Sequence, residues 1–211
     1  MLPDQIKEQL KEQFQDLDKE ITLILFTQEF ECMLCQETRK LMEAVASLSP
    51  KINLEIYDFV KDKDKADSYK IDKIPAITIV GKKDHQIKFY GIPAGYEFTS
   101  LIESIKMVSN ETVELKGETK SFLDSLQKDV HLQVFVTPTC PYCPSAVILA
   151  HRMAFYSDRV KADMIEASEF HHLSIKYGVQ GVPRTVINDK IHQEGAAPEP
   201  LLLEKIKEAL L

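Results

Sequence analysis

All four cysteines of the chain stand in two Cys-x-x-Cys pairs, Cys32 and Cys35 in "ECMLCQETRK" and Cys140 and Cys143 in "TPTCPYCPSA". Each pair follows an apolar, strand-like run, "ITLILF" or "LQVFV", and opens a segment that can continue as a helix. Two thiols so placed can carry two electrons. Unpaired N–H groups and the positive end of the helix dipole favour the thiolate of the first cysteine, and the second lies near enough to displace a mixed disulfide. Cys32 and Cys140 are therefore expected to attack, Cys35 and Cys143 to resolve, with Cys32–Cys35 and Cys140–Cys143 as the redox disulfides.

A structural zinc site of four thiolates is the bland alternative, together with two inert cysteine pairs. Zinc knuckles are usually separated by about 15 to 20 residues. Here a complete set of strands and helices intervenes between Cys35 and Cys140, which favours two separate reactive pairs.

Two prolines share the spacing of the cysteines. Pro75 stands as far downstream of Cys32 as Pro183 does of Cys140, in "KIPAITIV" and "GVPRTVIN". A proline opening a strand needs no further explanation, since its missing N–H does no harm there. The repeated spacing points further, to cis Ile74–Pro75 and Val182–Pro183 bonds that turn the chain beside the cysteines. That would leave the backbone of Ile74 and Val182 free to pair with an extended substrate peptide. Tyr142, between two cysteines at an exposed helix start, is assigned to the edge of that groove.

The elements that must position these residues repeat as well. Each half reads α-β-α-β-α-β-β-α: an amphipathic helix, a strand, the CxxC helix, a second strand, a short helix, two strands in a hairpin and a closing helix. A β-α-β start gives parallel strands, and the late pair joined by "GKKD" or "ND" an antiparallel hairpin. The expected fold is α/β, two tandem units each with a mixed four-stranded sheet flanked by helices. Apolar periodicity lapses across "SNETVELKGETK", which puts the boundary between residues 1–112 and 113–211.

Composition agrees with two compact units in 211 residues, 44% of them hydrophobic and 28% charged. The net charge of −7 argues against nucleic acid and against docking on an anionic membrane. The N-terminus "MLPDQIKEQLKEQFQDLDKE" lacks the apolar core of a secretory signal, and no run approaches the length of a membrane span, so a cytoplasmic protein is expected. The alternating charges of "KDKDKAD" and the paired His171 and His172 read as solvated surface.

"TCPYC" before a helix with "GVP" downstream resembles the thioredoxin and glutaredoxin superfamily, "CPYC" being the pair typical of glutaredoxins. Two such units in one chain, with "GIPAGYEFTSLI" closing the first, are similar to the protein disulfide oxidoreductases found mainly in thermophilic prokaryotes. The resemblance implies two thioredoxin folds, disulfide exchange on protein substrates and no bound cofactor. It also implies re-reduction by a thioredoxin-reductase-like flavoprotein that uses a nicotinamide. It carries the attacking role to Cys32 and Cys140, the resolving role to Cys35 and Cys143, and the cis-proline role to Pro75 and Pro183. The first unit departs from the pattern in "CMLC", where Met33 and Leu34 form an apolar insert.

Glutathione would need a compact cationic site for its two carboxylates. No lysine or arginine occurs in "LQVFVTPTCPYCPSAVI", and Arg184 stands alone after Pro183, so protein dithiols are the better substrate. The competing reading is an electron-relay module, resembling the tandem thioredoxin-like N-terminal part of the flavoprotein that reduces alkyl hydroperoxide peroxidases. One of two CxxC pairs typically survives in such modules; both are present here, which favours the enzyme.

Overall fold

The computed structural model describes residues 2–211, and their element order is the one the sequence pattern predicts, twice over. In the first half, helix α1 (Asp4–Gln13) leads into strand β1 (Ile21–Thr27), helix α2 (Cys35–Ala46), β2 (Ile52–Asp58), the short α3 (Lys63–Ser68), β3 (Ala76–Val80), β4 (Asp84–Tyr90) and α4 (Phe98–Asn110). The second half runs through α5 (Gly117–Asp124), β5 (Val130–Val136), α6 (Cys143–Tyr156), β6 (Val160–Glu166), α7 (His171–Lys176), β7 (Arg184–Ile187), β8 (Ile191–Glu194) and α8 (Glu199–Ala209). Two short 3-10 turns, Phe14–Asp16 and Gly95–Glu97, are not apparent from the apolar periodicity.

In the first compact unit β1 lies between β2 and β3, parallel to the one and antiparallel to the other. Leu23, Ile24, Leu25 and Phe26 of β1 are buried. A central strand covered on both faces must be a nearly continuous apolar run, as "ITLILF" is. The second unit repeats this arrangement, with β5 parallel to β6 and antiparallel to β7, and β7 paired with β8. The turn that joins β7 to β8 is closed by the Lys190 N–H donating to the Ile187 carbonyl at 3.1 Å. Asn188 and Asp189 have φ of 49° and 58°, the left-handed pair that tight hairpins need and that these two residue types tolerate.

The two units are not continuous stretches of chain. The first takes the residues up to Asp84, then Tyr90–Ile92 and Ile105–Thr112; His85–Phe89 and Pro93–Ser104 cluster with the second, beside Val113–Leu211. The reason lies in aromatic contacts with α6. The His85 ring stacks on Phe155 at 4.2 Å between centroids, and Phe89 meets His151 edge-on at 4.9 Å. His151 is fully buried, with its Nδ1 2.9 Å from Ser104 Oγ, and burial pulls its pKa down to about 3.

Helix α2 buries Cys35, Thr38, Met42 and Val45, and α6 buries Cys143, Val147, Ala150 and Ala154 among others. Both sets follow the period that puts one helical face against a sheet. The second cysteine of each pair heads this stripe, which is why it faces inward. Among the described residues no helix is long and apolar enough to cross a membrane.

Candidate active site

Each CxxC is a disulfide: Cys32–Cys35 and Cys140–Cys143 are bonded, each with a Cα–Cα distance of 5.5 Å. Cys35 and Cys143 are the first helical residues of α2 and α6, so Cys32 and Cys140 precede the helix in a turn. The second cysteine of each pair thus stands at the helix start. Burial separates the members of each pair. Cys35 and Cys143 have no exposed surface and Cys140 is almost covered, whereas Cys32 is half-buried. In each pair the first cysteine is the less enclosed of the two, clearly so for Cys32 and by a narrow margin for Cys140.

Both Ile74–Pro75 and Val182–Pro183 are cis. Strand register explains how each comes near its disulfide. Ala76 pairs with Phe26 at the end of β1, from which the chain leaves toward Cys32, and Arg184 pairs with Phe135 at the matching end of β5. The proline carbonyls are engaged, Pro75 accepting from the Gly91 N–H at 2.9 Å and Pro183 from the Gly195 N–H at 2.8 Å. Ile74 and Val182 remain half-buried. Cys140 Sγ lies 3.7 Å from the Val182 carbonyl oxygen.

The surroundings of the two disulfides differ. Beside the first, a cleft of about 780 Å³ is lined by Phe30, Gln36, Arg39, Lys61 and Asp62, among others. Beside the second, a groove of about 480 Å³ runs from Thr137 past His171, Ser174 and Gly181 to Val182, with no lysine or arginine in its lining. Large apolar side chains rise next to both disulfides: Phe30 is 79% exposed, Met33 92% and Tyr142 71%. Arg184, beside Pro183, is engaged by His192 at 3.1 Å and Glu194 at 2.6 Å.

The reading of motifs missed Glu97. This residue ends the 3-10 turn Gly95–Glu97, which docks on the loop before Cys140: the Tyr96 N–H donates to the Pro138 carbonyl at 2.9 Å. Gly95 permits the approach. Its φ is 61°, and a Cβ there would lie 2.2 Å from the Pro138 oxygen. The Glu97 carboxyl is 1% exposed; its Oε2 accepts from Ser100, while Oε1 has no hydrogen-bond partner among the described residues. Burial raises its pKa to about 7, against a lowering contribution from Ser100. In sequence Glu97 is an ordinary acid at the start of α4, and no local signal marks it.

The chain resembles known proteins in this geometry and over nearly its whole length. Residues 130–208 match the family described as "Thioredoxin domain". A crystal structure of a protein disulfide oxidoreductase from Aeropyrum pernix covers 99% of this chain, and 94% of that chain is matched, with a TM-score of 0.93 and 30% identity. The NTD_N/C domain of alkylhydroperoxide reductase AhpF from Enterococcus faecalis covers 98% of this chain and is itself covered in full, at a TM-score of 0.89 and 27% identity. Among curated proteins, the AhpF component of alkyl hydroperoxide reductase from Xanthomonas campestris is 26% identical over 76% of this chain. A protein named NADH dehydrogenase of Bacillus subtilis is 24% identical over 95% of it. The chain spans between 28% and 37% of the length of these two relatives.

Proposed function

This chain belongs to the thioredoxin superfamily, as a thioredoxin-fold disulfide oxidoreductase with two CxxC sites, and we propose that it acts on the dithiols and disulfides of other proteins. The observation that carries the reading is the complete enclosure of the second cysteine of both pairs, each bonded to a less buried first cysteine in a unit that carries a cis-proline. Each sequence half, 1–112 and 113–211, supplies one CxxC site. The cytoplasm is the setting in which such dithiols stay reduced.

In the reducing direction the Cys140 thiolate attacks one sulfur of a substrate disulfide. An S–S bond forms to Cys140, the substrate's own S–S bond breaks, and the leaving thiolate takes up a proton. Cys143 then attacks Cys140 Sγ, and its proton passes to the departing substrate sulfur. The second substrate thiolate departs, and the protein holds the disulfide in exchange for two electrons. The backbone of Val182 and the ring of Tyr142 border the substrate chain, as Ile74 does at the Cys32–Cys35 site. Reducing equivalents return from a nicotinamide-dependent flavoprotein.

A second reading is favoured by the likeness to AhpF along most of the chain. In it the disulfides relay electrons from a flavoprotein to a peroxidase-type partner. Reduction of insulin, run beside the refolding of a scrambled disulfide protein, tests the first reading. Turnover of both substrates supports a general oxidoreductase. Failure with both, together with NADH-dependent peroxide reduction when a flavoprotein and a peroxidase are added, supports the relay.

A further inference from the structure

We propose that Met33 is an oxidation site through which hydroperoxides switch off protein exchange at the Cys32–Cys35 disulfide, an inference that rests on reading that disulfide as a docking site for proteins. Met33 lies between the two cysteines and is 92% exposed. Met42, Met153 and Met164 are fully buried, and Met107 is half-buried. Oxidation of a thioether follows its accessibility, so Met33 is the first among the described methionines to meet a peroxide.

Its neighbours give that exposure a consequence. Phe30, two residues before the half-buried Cys32, is 79% exposed and lines the cleft beside the disulfide, so Cys32 is flanked in the chain by two exposed apolar side chains, Phe30 and Met33. A protein that brings a sulfur to Cys32 must cover Met33, and a flexible, polarisable thioether suits contact with partners of varied shape.

The step is balanced. A lone pair of Met33 Sδ attacks the terminal oxygen of R–O–O–H, an S–O bond forms and the O–O bond breaks. The proton passes to the departing oxygen, which leaves as water or an alcohol. Sulfur loses two electrons and the peroxide gains them. The sulfoxide puts a strong hydrogen-bond acceptor between the two cysteines, where a docking partner would strip it of water. Sulfoxide reductases reverse the change. At the second disulfide Pro141 and Tyr142 occupy the corresponding positions and offer no sulfur, so the switch acts on one site alone.

The test uses the full chain in two forms, Cys140→Ser with Cys143→Ser, which leaves exchange at Cys32, and Cys32→Ser with Cys35→Ser, which leaves exchange at Cys140. Each is held as the disulfide, treated with hydrogen peroxide or tert-butyl hydroperoxide, mapped by peptide mass, then reduced and assayed on insulin. We expect one added oxygen on the Met33 peptide before any on Met107, and none on the buried methionines. KM for insulin should rise about tenfold at the Cys32 site, the equivalent of losing one buried methionine side chain, with no rise at the Cys140 site. Methionine sulfoxide reductase should restore the original value, and in Met33→Leu peroxide should change nothing. Oxidation of Met107 ahead of Met33, or full oxidation of Met33 without a change in KM, would overturn the switch while leaving the proposed function intact. Absence of insulin exchange before any peroxide would overturn the proposed function, and the switch with it.

Discussion

Cys140 Sγ lies 3.7 Å from the carbonyl oxygen of Val182, the residue just before the cis-proline of the second unit. Under the proposed function, a substrate strand pairing with Val182 would bring its own sulfur to Cys140. Cys143, with no exposed surface, cannot meet it first.

Trapping follows from that order. In Cys143→Ser the mixed disulfide on Cys140 cannot be resolved and should accumulate with insulin or a scrambled protein as a band on non-reducing gels. Cys140→Ser should trap nothing at this site. The same contrast is expected between Cys35→Ser and Cys32→Ser, and the opposite pattern would reverse the assignment of attacking thiols.

Glu97 makes the stability of its unit pH-dependent. Its pKa in the folded protein is raised to about 7 from an ordinary 4.5, so the folded state favours the neutral acid. That stabilisation is fully present below pH 4.5 and is lost as the pH rises to about 7, a difference of about 3 kcal/mol. Glu97→Gln should flatten this part of the unfolding profile by urea titration. An unchanged dependence of stability on pH in Glu97→Gln would argue against a neutral Glu97 in the folded protein.

Gly95 and Gly195 form a matched pair of tests. Both have positive φ, 61° and 74°, but a Cβ on Gly95 meets the Pro138 oxygen at 2.2 Å, while one on Gly195 meets nothing within 4 Å. Gly195→Ala should cost about 1 kcal/mol, the left-handed backbone penalty alone. Gly95→Ala should cost about 1 to 3 kcal/mol more and slow exchange at Cys140, because the 3-10 turn must leave the loop that holds Pro138. Chemical denaturation and insulin reduction measure the two effects. Equal costs at both glycines would argue against docking of that turn.

The two attacking thiols should ionise in a fixed order, Cys140 at lower pH than Cys32. Glu29 and Glu31 precede Cys32, whereas Thr137, Pro138 and Thr139 before Cys140 bring no charge. At ~8 Å in a water-like dielectric each carboxylate disfavours the thiolate by about 0.5 kcal/mol. The two together correspond to about a fivefold difference in thiolate population below the pKa. Thiolate absorbance against pH, in Cys35→Ser for Cys32 and Cys143→Ser for Cys140 with the other pair removed, gives the ranking directly.

Much of this site is local and therefore legible in the chain. The CxxC pairs between a buried strand and a helix, the inward period from Cys35 through Thr38, Met42 and Val45, and the Asn188–Asp189 turn all depend on neighbours a few positions away. The repeat supplied the pairing of each proline with its cysteines, since one architecture had to satisfy both halves. Three features lay beyond such signals. Whether His85–Phe89 belongs with the first or the second unit is decided by Phe155 and His151, distant in sequence. Glu97 reads as a common first-turn acid, and its shifted ionisation exists only because Gly95 lets its turn close on Pro138. The difference in accessibility between Cys32 and Cys140 likewise depends on which remote segments cover each sulfur. Periodicity and spacing are properties of neighbouring residues, whereas desolvation is summed over every atom that excludes water, and only the folded chain assembles those atoms.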